Sequence, residues 1–160
     1  MDQSKPNLPL MTNRISLEAA APAVYRRINA LDLCVELDPT LRELIRIRAS
    51  QINSCSYCVD SHSADARRAG ESERRIWALA AWRKTPFFDE RERAALALTE
   101  VMTRLPDAGV PADVYDEAAR HFSAPELGNL VGAIIAINAW NLVGVGLAMQ
   151  PEPEAEEAVA

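Results

Sequence analysis

From Leu127 to Met149 the chain runs 23 residues without a charged side chain, and this limits the architectures open to it. A stretch of that length and apolarity either spans a bilayer or is a helix that must be hidden by packing. Asn129, Asn138 and Asn141 are amides that would be costly in lipid unless paired, and no Lys or Arg anchors either end. Gly128, Gly132, Gly144 and Gly146 suit close helix packing. The stretch is therefore read as a core helix that also serves a subunit interface. One small domain need not hide all of it alone, and oligomerisation is the natural remedy.

The remaining composition fits that reading. At 160 residues the chain is one domain, large enough to build a core without staples. Hydrophobic residues at 49% and charged residues at 25% exclude a disordered, collagenous or disulfide-dense chain. Net charge is −6, and Glu152, Glu154, Glu156 and Glu157 supply −4 of it, leaving −2 for the body. No concentrated basic face suggests nucleic acid. Three cysteines, Cys34, Cys55 and Cys58, and no apolar export segment point to a reducing cytosol. There, a close cysteine pair is more often catalytic or metal-binding than structural.

Punctuation predicts about seven helices and no strand, an all-α single-domain bundle. Residues 1–15, with Pro6 and Pro9, read as an extended arm, 16–149 as the helical domain, and 150–160 as an acidic disordered tail. Ser16 caps a helix to about Leu37. Asp38-Pro39 opens a second, to Ile52, and Ser54 caps a third from Cys55 to Ala69, with Gly70 just past its end. Ser72 caps a fourth to about Trp82, and Asp89 with Glu92 forms a capping box for a fifth, to about Leu105. Pro111 opens a sixth, and Ser123 with Glu126 boxes a seventh, to about Met149.

The chemistry concentrates between Glu43 and His62. Cys55 and Cys58 lie in the first turn of the third helix, where free N–H groups favour a thiolate. Three residues apart, their sulfurs share a face and can close a disulfide. His62 is in phase with both. In an antiparallel hairpin about Asn53-Ser54, Glu43 and His62 stand about 16 and 12 Å from the turn at the helical rise, close enough to bond. A carboxylate, a base and a dithiol would then be aligned for proton transfer at sulfur.

Blander readings stand beside this one. The cysteines could be core residues, or zinc ligands with His62 and either Glu43 or Cys34, although no second dedicated pair exists. Glu43 could simply pair with Arg42, Arg46 or Arg48. Cys34 reads as packing, His121 as a favourable charge at a helix C-terminus, and Trp77, Trp82 and Trp140 as core or interface anchors. Ser50, Gln51 and Asn53 could shape a pocket.

The spacing E-x11-C-x-x-C-x3-H, with SQIN before the cysteines, AWRKTPFFDERERAALALTE after them and INAWN at Ile137–Asn141, resembles the AhpD-like alkylhydroperoxidases of the carboxymuconolactone decarboxylase superfamily. The resemblance covers roughly 16–149. It implies a helical fold assembling into trimers or hexamers and a thiol peroxidase without haem, flavin or metal. On matching positions, Cys58 would be oxidised by an organic peroxide to a sulfenic acid. Cys55 would resolve it as a disulfide, Glu43 and His62 would relay protons, and an external dithiol or reducing protein would restore the thiols. Tyr57 stands where a well-known member has histidine, and Leu142 where relatives often have arginine. The decarboxylase branch typically lacks the cysteine pair, so a lyase fits less well. A dithiol redox sensor or binding protein is the other alternative.

Overall fold

A computed structural model describes residues 14–151. Most of the expected arm and tail therefore lies outside the described residues. Within them the fold is all-α: α1 (Leu17–Ala20), α2 (Pro22–Leu33), α3 (Pro39–Ile52), α4 (Ser56–Arg68), α5 (Glu73–Ala78), a 3-10 helix (Leu79–Lys84), α6 (Glu90–Arg104), α7 (Ala112–His121) and α8 (Ala124–Gly146).

The central element is α3, because two of its faces are apolar. Leu41 and Ile45 join Leu98, Phe122, Leu130 and Ile134 in a cluster with α6, α7 and α8. Leu44 and Ile47 face the other way, into a cluster with Ala66, Ile76, Leu79 and Trp82. Asp38 caps α3 by accepting from the Leu41 N–H at 2.9 Å, and Pro39 occupies its first turn. Capping boxes start α6 at Asp89 and α8 at Ser123.

Six boundaries differ from the sequence reading. The first expected helix is two: Pro22 opens α2, and Ala21 before it leaves helical geometry at φ −142° and ψ 64°. That second piece stops at Leu33 instead of Leu37. Ser54 is not a cap but adopts φ 56°, the left-handed residue that ends α3, and Cys55 is the N-cap of α4. The Cys55 N–H reaches Ser50 O at 3.0 Å and the Ser54 N–H reaches Gln51 O at 3.3 Å, which closes the turn as a Schellman motif. The fourth expected helix kinks at Ala81 and finishes as a 3-10 turn at Lys84. Pro111 is the N-cap of α7 and its first helical residue is Ala112. Finally, α8 ends at Gly146, where Ala148 at φ 55° and a Met149 N–H to Gly144 O bond of 2.8 Å make another Schellman closure.

By length and composition α8 could cross a bilayer. Its packing is that of a core helix, with Leu130, Ile134, Ile137 and Asn141 almost fully buried. Ile135, Leu142 and Val145 remain exposed along its outer side.

Candidate redox site

The Schellman turn reverses the chain so that α4 runs back along α3, and this brings Glu43 to His62 across 19 residues of sequence. Glu43 Oε2 lies 3.0 Å from His62 Nδ1. The other oxygen, Oε1, accepts from Arg46 Nη1 at 2.6 Å, and Arg46 Nη2 donates to Asp32 Oδ1 at 2.6 Å. Burial by itself would raise the Glu43 carboxyl. The His62 hydrogen bond and the Arg46 charge outweigh it and hold the group below its ordinary value. Glu43 is thus a carboxylate at neutral pH and can only accept hydrogen bonds. Its partner Nδ1 must carry the proton, which leaves Nε2 of a neutral ring with a free lone pair.

Cys55 and Cys58 form a disulfide across the first turn of α4, with Cα atoms 5.3 Å apart. As N-cap, Cys55 places Sγ 3.3 Å from the Cys58 N–H, so this sulfur receives a donor that helix geometry leaves without a backbone partner. Both sulfurs are buried. On the far side α8 approaches closely: a Cβ added at Gly144 would lie 2.6 Å from Cys55 Sγ and 3.3 Å from Cys58 Sγ. Only glycine fits there without displacement.

A line of amides explains how α8 is held at that distance. Asn141 Nδ2 donates to Ser50 Oγ at 2.9 Å, and Asn53 Nδ2 donates to Asn138 Oδ1 at 2.8 Å and Asn141 Oδ1 at 2.9 Å. Asn138 also donates to Thr103 Oγ1 at 3.1 Å. The buried amides of α8 are therefore satisfied, and they fasten it to the turn that carries the cysteines.

Cys58 and His62 line one cavity of about 620 Å³ with Tyr25, Tyr57, Trp140 and Leu147 among its walls. Tyr25 and Trp140 meet edge to face at 5.2 Å. Arg14 also lines it and donates to Gly146 O at 2.5 Å. Tyr57, at the position where a well-known member of the resembled family has histidine, stands in this wall. Cys55 does not face this cavity. It borders a shallower depression with Ser50, Gln51, Ser54 and Ser63, so the four expected residues gather at one hairpin without sharing one face.

The other candidates separate. Cys34 is exposed and donates to Leu31 O at 3.1 Å, so it is not core packing. His121 ends α7 and meets Glu117 at 3.1 Å, away from the cysteines. Trp82 is a core anchor bonded to Glu100 at 2.9 Å, Trp77 is exposed, and Trp140 is a cavity wall. Among the described residues, Glu43, His62 and Asp65 bring ligand atoms within 4.8 Å of one another, the one grouping with metal-binding spacing. Arg46 occupying Glu43 Oε1 sets positive charge beside it, which suits a carboxylate–imidazole pair better than a cation. Tyr25 was not singled out from sequence, whereas Gly144 was read only as a close-packing glycine and Arg46 only as an ion-pair partner of Glu43. The i, i+3, i+6 spacing of Asn138, Asn141 and Gly144 shows that these three share one face of the helix, but not which residues that face meets.

The carboxymuconolactone decarboxylase family model matches residues 20–101. YdfG of Bacillus subtilis, an uncharacterised protein, is 36% identical over 140 residues, covering 86% of this chain and 95% of its own. A crystal structure from Agrobacterium tumefaciens, of a protein of unknown function put forward as the antioxidant defence protein AhpD, superposes with a TM-score of 0.85 at 36% identity over 88% of this chain and 99% of that one. The debrominase Bmp8 shares the fold, with a TM-score of 0.74 at 22% identity over 84% of this chain and 73% of its own.

Proposed function

The chain belongs to the carboxymuconolactone decarboxylase family, in its AhpD-like branch, and from that footing we propose that it is a thiol-dependent peroxidase acting on organic hydroperoxides. The observation that carries this reading is the Cys55–Cys58 disulfide with Cys58 opening into the cavity that His62 also lines.

In the reduced chain, His62 Nε2 takes the Cys58 thiol proton. The thiolate attacks the terminal oxygen of ROOH, the O–O bond breaks, and alkoxide leaves, taking a proton from the imidazolium as ROH. Cys58 is now a sulfenic acid. The Cys55 thiol at the mouth of α4 gives its proton to solvent and attacks Cys58 Sγ, the S–OH bond breaks, and the hydroxide takes up a solvent proton and leaves as water. Glu43 stays ionised, holding the ring and balancing its charge. An external dithiol then reduces the disulfide, so the sum is ROOH + R′(SH)2 → ROH + H2O + R′S2. The aromatic wall of Tyr25 and Trp140 suits an apolar R group.

We place the chain in the cytosol as a homo-oligomer, a trimer or hexamer, with the exposed apolar side of α8 at the contact. Neither nucleic acid, membrane, metal nor organic cofactor enters this reading. The cavity and the paired sulfurs favour it over a lyase, whose turnover would survive changing both cysteines to serine. A redox-sensing protein would react once per chain instead of cycling.

Peroxide consumption with a dithiol reductant tests the proposal. Wild type cycles, and peroxide leaves a two-hydrogen mass loss mapped to Cys55–Cys58. Full turnover by Cys58→Ser would overturn it.

A further inference from the structure

The two cysteines of the buried disulfide line different depressions. The aromatic cavity borders Cys58 and not Cys55. The shallower one borders Cys55 and not Cys58, and Ser54, Ser56 and Ser63 line it together with Val59, Asp60 and Arg67. A further side is shut, because α8 backbone at Gly144 leaves no room against either sulfur.

Thiol–disulfide exchange proceeds by attack of a thiolate on one sulfur through a mixed disulfide, and access decides which sulfur is hit. The incoming, central and leaving sulfurs lie nearly in line, so a nucleophile reaching Cys55 must come from the side away from Cys58. We propose that the Ser-rich depression is the entry for the thiolate of a dithiol reductant, a binding site separate from the peroxide cavity. The inference rests on the peroxidase reading above and adds where its second half-reaction takes place.

The step balances as follows. The reductant thiolate bonds to Cys55 Sγ, the Cys55–Cys58 bond breaks, and Cys58 leaves as a thiolate into the cavity where His62 stands. The second reductant thiol, deprotonated by solvent, attacks the first reductant sulfur. That breaks its bond to Cys55 and gives the cyclic reductant disulfide and a Cys55 thiolate, which takes up the solvent proton. Attack at Cys55 returns Cys58 directly to the state that meets peroxide. Attack at Cys58 would instead block the peroxidatic sulfur with the reductant and would have to pass through the aromatic cavity. Separate entries also mean that excess reductant does not compete with peroxide.

The test oxidises the chain with diamide, so that it does not depend on peroxide turnover. The oxidised chain meets β-mercaptoethanol with iodoacetamide present to cap the released thiol, and tandem mass spectrometry reads the two cysteines. The expected product carries mercaptoethanol on Cys55 and carbamidomethyl on Cys58. The reverse pattern, an even mixture, or no adduct overturns the proposal. A filling variant gives a second reading: Ser63→Phe slows disulfide reduction about tenfold through lost access, while single-turnover oxidation by cumene hydroperoxide keeps its wild-type rate. Unchanged reduction, or equal slowing of both half-reactions, counts against a separate entry. Should Ser63→Phe fail to fold, the adduct pattern on the wild-type chain decides alone. Failure of the reduced wild type to form a disulfide after peroxide, with the Cys55 adduct still obtained from the diamide-oxidised chain, would sink the peroxidase reading and leave this one standing.

Discussion

Glu43 and His62 meet at 3.0 Å while the second oxygen of the same carboxylate is taken by Arg46 at 2.6 Å. The His62 hydrogen bond and the Arg46 charge together keep the carboxyl ionised, the ionised carboxylate keeps the proton on Nδ1, and Nε2 is left free to act as base. Removing the charge with little change in shape, as in Glu43→Gln, should slow peroxide oxidation by about 100-fold, the usual worth of a positioned acid–base group. Because the Glu43 carboxyl is held below its ordinary value, it ionises on the acid side of the working range. The wild-type pH–rate profile between about pH 5 and 8 should therefore carry no step that Glu43→Gln abolishes. Stopped-flow oxidation across that range checks both statements.

Glu100 makes a different contribution, to stability. It is buried and accepts from Arg48 Nε at 2.8 Å, Trp82 Nε1 at 2.9 Å and Arg104 Nη1 at 3.2 Å, and it also pairs with Arg83. Burial raises the carboxyl, but the hydrogen bonds from Trp82, Arg83 and Arg48 hold it at about 2 against an ordinary 4.5. A lowered acid stabilises the fold fully above its unfolded value and ceases to as pH falls through the folded one. That depression corresponds to roughly 3 kcal/mol, present at neutral pH and lost between about pH 4.5 and 2. Glu100→Gln should unfold at lower denaturant than wild type at pH 7, with the gap narrowing steadily below pH about 4.5.

Gly144 and Gly128 separate the two effects of adding a methyl group inside α8. A Cβ at Gly144 meets Cys55 Sγ at 2.6 Å, whereas one at Gly128 meets nothing within 4 Å. Alanine in a helix interior is favoured over glycine by about 1 kcal/mol, so Gly128→Ala should raise the melting temperature. At Gly144 the clash outweighs that gain, since overpacking costs about 1–3 kcal/mol, and the sulfurs must shift. Gly144→Ala should melt earlier when oxidised and form its disulfide more slowly after peroxide. Calorimetry and timed thiol quenching measure the two.

These residues also show what the sequence could and could not disclose. The Glu43–His62 contact was readable because helical rise fixes distance along a hairpin, and the caps at Asp38, Asp89 and Ser123 were readable because capping is local chemistry. Ser54 was misread because serine serves both as an N-cap and, at some strain, as a left-handed residue, and only the 3.0 Å bond from Cys55 N–H to Ser50 O decides between them. That one-residue shift makes Cys55 the cap, and Cys55 accordingly borders a different depression from His62. Pro22 was overlooked as a helix opener inside an apparently continuous pattern. Gly144 against the sulfurs depends on how α8 crosses α4, which no local pattern encodes.

Leu142 tests the assembly. It is 76% exposed, and Ile135 and Val145 extend the apolar strip along the same outer side of α8. Burying a leucine is worth about 1.5–3 kcal/mol, and a symmetric oligomer repeats that contribution in every subunit, so one charge placed there acts several times over. Leu142→Glu should lower the light-scattering mass toward the 17.6 kDa of a single chain while leaving the helical circular dichroism unchanged. Tyr115, exposed on α7 and away from this strip, is the control, and Tyr115→Glu should keep the wild-type mass. Wild type already at monomer mass, or Leu142→Glu keeping an oligomeric one, would remove α8 from the interface. The exposed strip would then need another explanation, because the rest of the helix is already accounted for by the core and by the amides that hold it to the cysteine turn.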